Sequence, residues 1–336
     1  MAGLSLLFAP PRARGYIALL LAVRAAEVAA RHSAAKGLVP PFLARNGATA
    51  LMMASSAPVL FCWLFSPASL DASYLRFLNR QSGKSVVEMR AVAAALDGSL
   101  PSKPRLVADL NAARLRGTRG SRSPMPQLLK LPPPAGTCAH CATLHGSTVS
   151  CSAHAVSYVA SGVLRALPLY LPVHALPLVL FRSQKLRTAP LPLLRDASVS
   201  VARSSLWLSA YCGTGFISLC AISRLVVAAR VAPKAWHALI AGALCGATLL
   251  LEKPSRRVEL ALYTLTQAIR CSPFPAKGGA LREKWAALPV FVVASAVVSH
   301  HFVRHPATLR PSYRALLMRF LADSPGAGGS HRRLLS

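Results

Sequence analysis

Runs of apolar residues long enough to cross a bilayer recur along the chain. A helical span of the hydrocarbon core takes about 20 apolar residues, because backbone polar groups there must be hydrogen-bonded within the segment. The clearest windows are residues 204–229, 235–251 and 286–303, and weaker windows of the same kind lie at 15–30 and 47–65. The pattern predicts an all-α, polytopic helical membrane protein.

A further window, residues 158–181, is equally long but interrupted. It contains two ionisable side chains and three prolines, which are Arg165, His174, Pro168, Pro172 and Pro177. Because proline cannot donate the backbone hydrogen bond of a helix interior, a spanning helix here is expected to be kinked. Re-entrant or interfacial placement is the alternative.

Between residues 66 and 137 the chain becomes rich in Gly, Ser, Pro and Arg, which is typical of a solvated linker. This change divides the sequence into regions. We expect an N-terminal membrane-associated half at 1–80, a basic flexible linker at 81–137, a Cys/His-rich loop at 138–157, a C-terminal multi-pass region at 158–323 and a tail at 324–336.

The chain also contains an internal repeat. PASLDASYLRFLNR at 67–80 matches PATLRPSYRALLMR at 306–319 without a gap, 239 positions later. Further upstream, PRARGYIAL at 11–19 matches PSRRVELAL at 254–262. The matches predict an internal two-fold sequence repeat of basic turn, helix, loop, apolar helix and exit peptide. Paired halves of this kind occur in transporters and in other helical membrane proteins.

The repeated exit peptide has a simple structural interpretation. Pro67 and Pro306 are expected to end the preceding apolar helix, and Tyr74 and Tyr313 suit the headgroup level, where an apolar ring and a polar tip are both accommodated. Ser73 is expected to cap the helix that follows. We therefore favour an interfacial elbow over a binding motif.

Composition supports the membrane class and narrows the partners. The 336 residues are 53% hydrophobic with a mean hydropathy of +0.43, and 39 Lys and Arg against 10 Asp and Glu give a formal net charge of +29. The basic residues are spread between apolar segments, so we expect them to face anionic lipid headgroups and not nucleic acid. So few carboxylates also argue against an acid–base enzyme. The eight cysteines are scattered and do not form a secreted disulfide framework.

The first 32 residues contain four arginines and one acid, Glu27. This bias is typical of a mitochondrial presequence, but a first membrane helix with basic flanks has the same composition. We favour the helix.

The densest group of metal-ligating residues lies at 137–154. Cys138, Cys141, His145 and Cys151 are the right types for a tetrahedral zinc site, although their spacing is not that of a standard zinc finger. The alternatives are a redox-sensitive pair of Cys138 and Cys141, a disulfide from Cys141 to Cys151, or a structural loop with reduced thiols.

Polar residues within apolar segments give a second candidate site. A transporter or channel needs an inner polar path, and Arg165, His174 and Glu259 are the residues that we expect to line it. Gly242 and Gly246 form a GxxxG motif, which allows helices to approach closely and offers a surface for a homo-oligomer.

The order of features from residue 138 onwards resembles the transmembrane protein 135 family, also called the peroxisomal membrane protein 52 family. The similar stretches are CATLHGSTVSC, LPLYLPVHALPLVLF, RSSLWLSAYC and LLLEKPSRRVELALYTLTQAI. Fungal-type members also have a preceding half similar to residues 1–80. Gly146 stands where the family usually has proline, so the chain departs from the pattern in the loop after His145.

The resemblance implies helices similar to those of Tim17-type translocase subunits, in a multi-pass protein of mitochondria or peroxisomes. It also implies a role in lipid and fatty-acid homeostasis and in organelle membrane organisation, with no assigned catalytic residue. Glu252, Arg256 and Arg257 correspond to the family's charged turn. On this basis the expected partners are membrane lipids, and no cofactor is expected unless the Cys/His group binds zinc. The alternatives are a lipid or metabolite transporter and a metal or redox sensor in a membrane.

Overall fold

The regular structure of the described residues is helical. The computed structural model describes residues 10–118, 139–145, 151–181, 188–232, 234–271, 287–310, 313–314 and 318. Within them the α-helices are α1 (Pro11–Ala35), α2 (Pro41–Phe65), α3 (Ala72–Ser82), α4 (Val86–Leu96), α5 (Pro104–Thr118), α6 (Ala139–His145), α7 (Cys151–Phe181), α8 (Pro190–Ala228), α9 (His237–Gly246), α10 (Pro254–Arg270) and α11 (Ala287–Arg304). Short 3-10 turns lie at Pro67–Ser69, Leu100–Ser102, Ala247–Leu251 and Pro306–Thr308. The prediction of an all-α fold is confirmed.

Four helices in the described part of the chain are long and apolar enough to cross a membrane. They are α2, α8, α11 and the Cys151–Val179 portion of α7, and each overlaps one of the predicted windows over nearly its whole length. The window at 235–251 instead forms α9 and the 3-10 turn after it, which together are shorter than a span. The window at 15–30 lies inside α1, which does not reach the same apolarity.

The chain divides into two compact units that differ from the predicted halves. The first unit combines residues 1–46 with 275–336, and the second comprises residues 47–274. In the first unit α1 packs against α11, where Ala25, Ala294 and Val298 form a small buried cluster. The unit therefore joins elements from opposite ends of the sequence.

The core of the second unit is built around α2 and α8. Trp63 and Phe216 approach with ring centroids 5.9 Å apart, and both are buried. On α9, a Cβ atom added to Gly246 would lie 2.5 Å from Cα of Met53, and one added to Gly242 would lie 2.7 Å from Cα of Ala57. The close helix approach predicted for the GxxxG motif is therefore made to α2 of the same chain, and a homo-oligomer through this motif stays a prediction.

Part of the predicted flexible linker is folded. The α4 helix begins with a capping box, in which Ser85 accepts from the backbone N–H of Glu88 while the Glu88 carboxylate accepts from the backbone N–H of Ser85. The small side chains of α4 pack against α5 around Leu100 and Leu110, both fully buried. Residues 86–118 thus differ from the linker prediction, because local capping and an alanine-rich face favour helices despite the polar composition. Residues 119–137 lie outside the described residues.

The predicted Cys/His-rich loop at 138–157 also contains helix. Residues 139–145 form α6, and α7 begins at Cys151. The last carbonyl groups of α6 are satisfied by cations, since Arg114 donates to the oxygens of Ala142 and Thr143 and Lys84 Nζ donates to that of Leu144. Lys and Arg suit a helix C-terminus, where carbonyl groups are unpaired and the helix dipole is negative.

The two exit peptides begin with the same backbone conformation. Pro67 and Pro306 each open a 3-10 turn directly after a candidate span, as expected. Tyr74 differs from the prediction, since it is buried among protein side chains and its ring lies 6.1 Å from that of Tyr263. The cap of α3 also differs, because Asp71, and not Ser73, accepts the backbone hydrogen bond.

Candidate functional site

A buried carboxylate organises the polar cluster of the second unit. Glu252 follows the Ala247–Leu251 turn in an extended conformation, and its side chain is only 1% exposed. Its Oε2 accepts a hydrogen bond from Ser204 Oγ at 2.8 Å, and its Oε1 accepts from the backbone N–H of Lys253 at 2.9 Å. A buried charge is costly unless it is paired and hydrogen-bonded, and these contacts meet that requirement.

Arg256 supplies the opposite charge and joins α10 to α8. Its Nη1 donates to Ser204 Oγ at 2.6 Å and lies 3.9 Å from Oε2 of Glu252. The hydroxyl of Ser204 therefore accepts from the guanidinium and donates its single proton to the carboxylate. Pro254 at the first turn of α10 fixes the start of the helix and so places Arg256 one turn after Glu252.

His174 brings α7 into the same cluster. Its Nε2 lies 3.1 Å from Nη1 of Arg256 and 3.5 Å from Ser204 Oγ. A guanidinium can only donate, so Nε2 accepts and the imidazole is neutral with its proton on Nδ1. The guanidinium also lies 5.8 Å from the ring centroid of Tyr170, one turn before His174. The cluster thus ties three elements of the second unit together.

The rim of the cluster carries further positive charge. Lys253 Nζ donates to Ser200 Oγ at 2.6 Å, and Arg257 donates to the carbonyl oxygens of Glu252 and Leu250 at 2.9 and 2.7 Å. Lys253 and Arg257 therefore add two cations beside the Glu252–Arg256 pair. We refer to Glu252, Lys253, Arg256, Arg257, Ser200, Ser204 and His174 as the charged-turn cluster.

The charged-turn cluster lies at one end of an apolar segment. Ser204 is the first residue of the apolar window 204–229 of α8. The neighbouring helix α7 leaves an apolar face uncovered, with Leu164, Leu171 and Leu176 between 53% and 68% exposed. The cluster therefore lies where a polar part of α8 meets its apolar part, next to an uncovered apolar face of α7.

No family model, curated protein or solved structure matches this chain. The resemblance to the transmembrane protein 135 family therefore stays a prediction from the quoted motifs. The residues quoted for the charged turn lie together, since Glu252 and Arg256 share Ser204 and Arg257 donates to the backbone of the turn.

Two of the residues predicted to line a polar path, His174 and Arg165, lie at separate places. His174 belongs to the charged-turn cluster, whereas Arg165 is nine residues earlier on α7, about 14 Å along the helix axis. Arg165 donates to the carbonyl oxygen of Gln81, near the C-terminus of α3, and lies 5.2 Å from the ring centroid of Tyr158. Glu259 is half-buried on α10. Arg165 thus satisfies the end of another helix, whereas His174 belongs to the charged-turn cluster.

The predicted zinc ligands are only partly described. Cys138 and the side chain of His145 lie outside the described residues, so the four-ligand site stays a prediction. Cys141 is buried on α6, and Cys151 is a free thiol at the start of α7. Within the ranges described, no three His, Cys, Asp or Glu side chains are placed to hold a metal ion. Cys151 also lines a small cavity of about 130 Å³ together with Arg224, whose Nη1 lies 3.9 Å from its sulfur.

The first unit also contains a cluster of four histidines. Three of them are neighbours in the sequence, but the fourth, His32, could not be assigned to the cluster from the sequence. His32 on α1 lies 5.2 Å from His301 and 4.4 Å from His305, measured between ring centroids, and His300 lies 5.5 Å from His301. The three later histidines are close in sequence, but His32 is more than 260 positions away. Only the packing of α1 on α11 brings them together.

Proposed function

We propose that the chain is a multi-pass protein of a mitochondrial or peroxisomal membrane that binds anionic lipid headgroups at the charged-turn cluster. In this proposal it takes part in lipid and fatty-acid homeostasis and in organelle membrane organisation, and it catalyses no reaction. Four helices that are apolar enough to span a membrane support the membrane placement.

The observation that carries the lipid proposal is the presence of two further cations, Lys253 and Arg257, beside the Glu252–Arg256 pair. A carboxylate that only needed neutralising would be served by Arg256, 3.9 Å away. Lys253 and Arg257 are additional, and each is partly exposed while it contacts neighbouring oxygens. Phosphate groups of anionic lipids are attracted to basic side chains at the membrane surface by about 1 kcal/mol for each Lys or Arg.

The length of α8 supports a position of the charged-turn cluster at the level of the lipid headgroups. With 39 residues the helix is about 58 Å long, whereas the hydrocarbon core is about 30 Å thick. The part before Ser204 contains Arg195, Asp196 and Arg203, so the polar portion lies on the same side as the cluster. The cluster is then at the boundary between the polar and apolar parts of α8.

Membrane integration is the first point to test. Alkaline carbonate extraction of membranes should leave the protein in the pellet, because spanning helices are not released by disrupting ionic contacts. Release into the supernatant, or a purified protein that is monodisperse without detergent, would contradict the proposal.

Lipid binding is tested with purified protein in detergent. We expect a short-chain anionic phospholipid to bind more tightly than a zwitterionic lipid with the same chains, and Lys253→Gln/Arg257→Gln to reduce this preference severalfold. The matched control is Lys103→Gln/Arg90→Gln, which removes the same charge from exposed positions. An equal reduction in the control, or no preference in the unaltered protein, would refute lipid recognition at this cluster.

The cellular role is tested by lipid profiling and organelle imaging in cells that lack the protein. We expect altered lipid composition and altered mitochondrial or peroxisomal morphology, restored by the unaltered protein but not by Lys253→Gln/Arg257→Gln. Restoration by the variant to the same extent would separate the cellular role from this cluster.

A lipid transporter is the second candidate, because one observation favours it. His174 contacts Arg256 from α7, the helix with three internal prolines, so a polar contact joins an irregular helix to the charged turn. Proteoliposomes with a fluorescent lipid in both leaflets should then show faster movement between leaflets than empty vesicles, and His174→Ala should slow it. Identical rates with and without protein would remove this candidate.

A further inference from the structure

Two ion pairs in the described residues join the same two positions of the repeated unit. The acid and the base change places between one pair and the other. In the first unit Glu27 of α1 pairs with Arg310, which follows the Pro306–Thr308 turn, at 2.8 Å, in addition to Arg24 and Arg31 of its own helix at 2.8 and 3.1 Å. In the second unit Arg270 of α10 pairs with Asp71, which follows the Pro67–Ser69 turn, at 3.0 Å. The acid is on the first helix in one pair and on the exit peptide in the other.

The four residues occupy equivalent positions in the repeat. The offset of 243 that aligns PRARGYIAL with PSRRVELAL places Glu27 over Arg270. The offset of 239 that aligns the exit peptides places Asp71 over Arg310. Both pairs therefore join the same two positions of the repeated unit, with opposite sign.

The equivalence extends to the packing of the first helices. Ala18 and Ala261 are both fully buried, Leu19 and Leu262 are 6% and 7% exposed, and Ala25 and its counterpart Ala268 are 7% and 8% exposed. The same positions of α1 and α10 thus face protein, although the two helices share few residues.

The exit turns agree equally closely. The residue before each turn has φ and ψ of −140° and 55° at Ser66 and −139° and 56° at His305. Inside the turns, Ser69 Oγ donates to the carbonyl oxygen of Ser66 and Thr308 Oγ1 donates to that of His305, each at 2.7 Å. The repeat thus produces the same local structure in both units.

Each unit nevertheless combines elements of different copies. In the second unit the end of α10 packs against α2 and its exit turn, since the thiol of Cys62 and the hydroxyl of Ser69 both donate to the carbonyl oxygen of Cys271. In the first unit α1 packs against α11, and Tyr313 lies beside the same small cluster. The first helix of each copy therefore packs on the second helix and exit peptide of the other copy.

The charges favour packing between the two copies over packing of each first helix on the second helix of its own copy. If each first helix packed on the second helix of its own copy, Glu27 would face Asp71 and Arg270 would face Arg310. Like charges placed opposite one another disfavour a contact, and such repulsion is a common way of excluding a wrong partner. The observed exchange instead gives two attractive pairs.

We propose that Glu27–Arg310 and Asp71–Arg270 form a pairing code that makes the first helix of each repeat copy pack on the second helix of the other copy. The inference depends on the predicted repeat and is independent of lipid binding. The Glu27–Arg310 pair carries most of the selection, because its side chains are 8% and 14% exposed, whereas those of Asp71 and Arg270 are 35% and 34% exposed.

Site-specific photo-cross-linking of the full chain in membranes tests the code. Leu21 lies on α1 beside the cluster of Ala294 and Val298, so a photoreactive amino acid at position 21 should cross-link to the peptide that contains α11. In Glu27→Arg/Arg270→Glu, each first helix carries the charge that suits its own copy. Mass spectrometry should then show at least about a tenfold loss of α11 cross-links and the appearance of α2 cross-links.

A second variant keeps the test decisive if the first misfolds. Glu27→Arg alone should lose the α11 cross-link, and Glu27→Arg/Arg310→Glu should recover it, because the pair is restored with its signs exchanged. Asp109→Arg/Arg90→Glu, at exposed positions of α5 and α4, makes the same charge changes and should leave the cross-link unaltered.

Three results would overturn the pairing code. The first is an unaltered α11 cross-link in Glu27→Arg/Arg270→Glu, and the second is a failure of Glu27→Arg/Arg310→Glu to recover it. The third is loss of α11 cross-links in a folded protein without α2 cross-links, which would mean that the ion pairs stabilise the packing but do not select it.

Discussion

Replacing Glu252 by glutamine tests the central contact of the charged-turn cluster. Glutamine keeps the volume and an acceptor oxygen, so the hydrogen bond from Ser204 can persist while the negative charge is lost. Arg256 then loses the carboxylate 3.9 Å from its Nη1, with Lys253 and Arg257 nearby. We expect the variant to be less stable than the unaltered protein.

The size of the effect follows from the geometry. At 3.9 Å and an effective dielectric constant of about 20, Coulomb's law gives roughly 4 kcal/mol for Glu252 and Arg256. The Arg256 side chain is 28% exposed, so water screens part of this attraction, and we expect a coupling free energy on the order of 2 kcal/mol. Weakening the charge-assisted bond from Ser204 adds about 1 kcal/mol.

Thermal unfolding in detergent, followed with a thiol-reactive fluorophore, measures this change. Cys62 and Cys245 are buried and become reactive when the second unit unfolds. The variants Glu252→Gln, Arg256→Gln and their combination form a double-mutant cycle, and Asp109→Asn is the control for loss of an exposed carboxylate. A Glu252→Gln midpoint equal to that of the control, or additive effects in the cycle, would refute the reasoning.

Three further predictions concern packing and pH. Gly246→Ala should lower the unfolding midpoint by the equivalent of about 1–3 kcal/mol, because its Cβ would meet the backbone of Met53, whereas Gly47→Ala, which meets nothing within 4 Å, should not. Hydrogen bonds from Ser73, and then Arg270, lower the pKa of Asp71 to about 2. The ionised side chain therefore stabilises the fold above the pKa of Asp in the unfolded chain, and this stabilisation is lost as pH falls from there towards about 2. Asp71→Asn should flatten the acid limb of a stability-versus-pH curve, and an unchanged limb would contradict this. Burial, followed by Lys36 and the three nearby imidazoles, lowers the pKa of His32. Its contribution is therefore present above the ordinary histidine pKa and is lost on acidification, so the protection factors of α1 amides, corrected for the slower intrinsic exchange at low pH, should fall as pH falls from about 7.5 to 5.5. His32→Gln should remove that fall; an equal fall in the variant would show that other groups are responsible.

Much of the fold follows from periodicity and length, and its exceptions have local causes. The spans α2, α8 and α11 were predictable because an uninterrupted apolar run of this length has few alternatives. Residues 86–118 were not, because the Gly, Ser and Pro content around them suggests a linker while the capping box at Ser85 and the alanine-rich face of α4 depend on position. The average composition of a segment does not show where a capping residue stands, whereas the start of a helix depends on one or two such residues.

The candidate site was predictable in its acidic and basic residues but not in its connections. Glu252, Arg256 and His174 could be singled out because charges are costly near a membrane. Ser204 could not, since a serine at the start of an apolar helix has no distinctive signal, yet it receives the hydrogen bond from Arg256 and donates to Glu252. The hydrogen bond between Arg165 and the end of α3 could not be predicted either, because it joins residues 84 positions apart in the sequence.

The prolines of α7 give that helix an unequal stiffness. Pro168, Pro172 and Pro177 lack N–H groups, so three carbonyl oxygens one turn earlier have no donor within the helix. Bending at these points sacrifices no backbone bond, which makes the middle of α7 its natural hinge. Since His174 follows two of them, a small tilt of the distal half would withdraw its imidazole from Arg256, and the cation would be released from one neighbour without the unfolding of any turn.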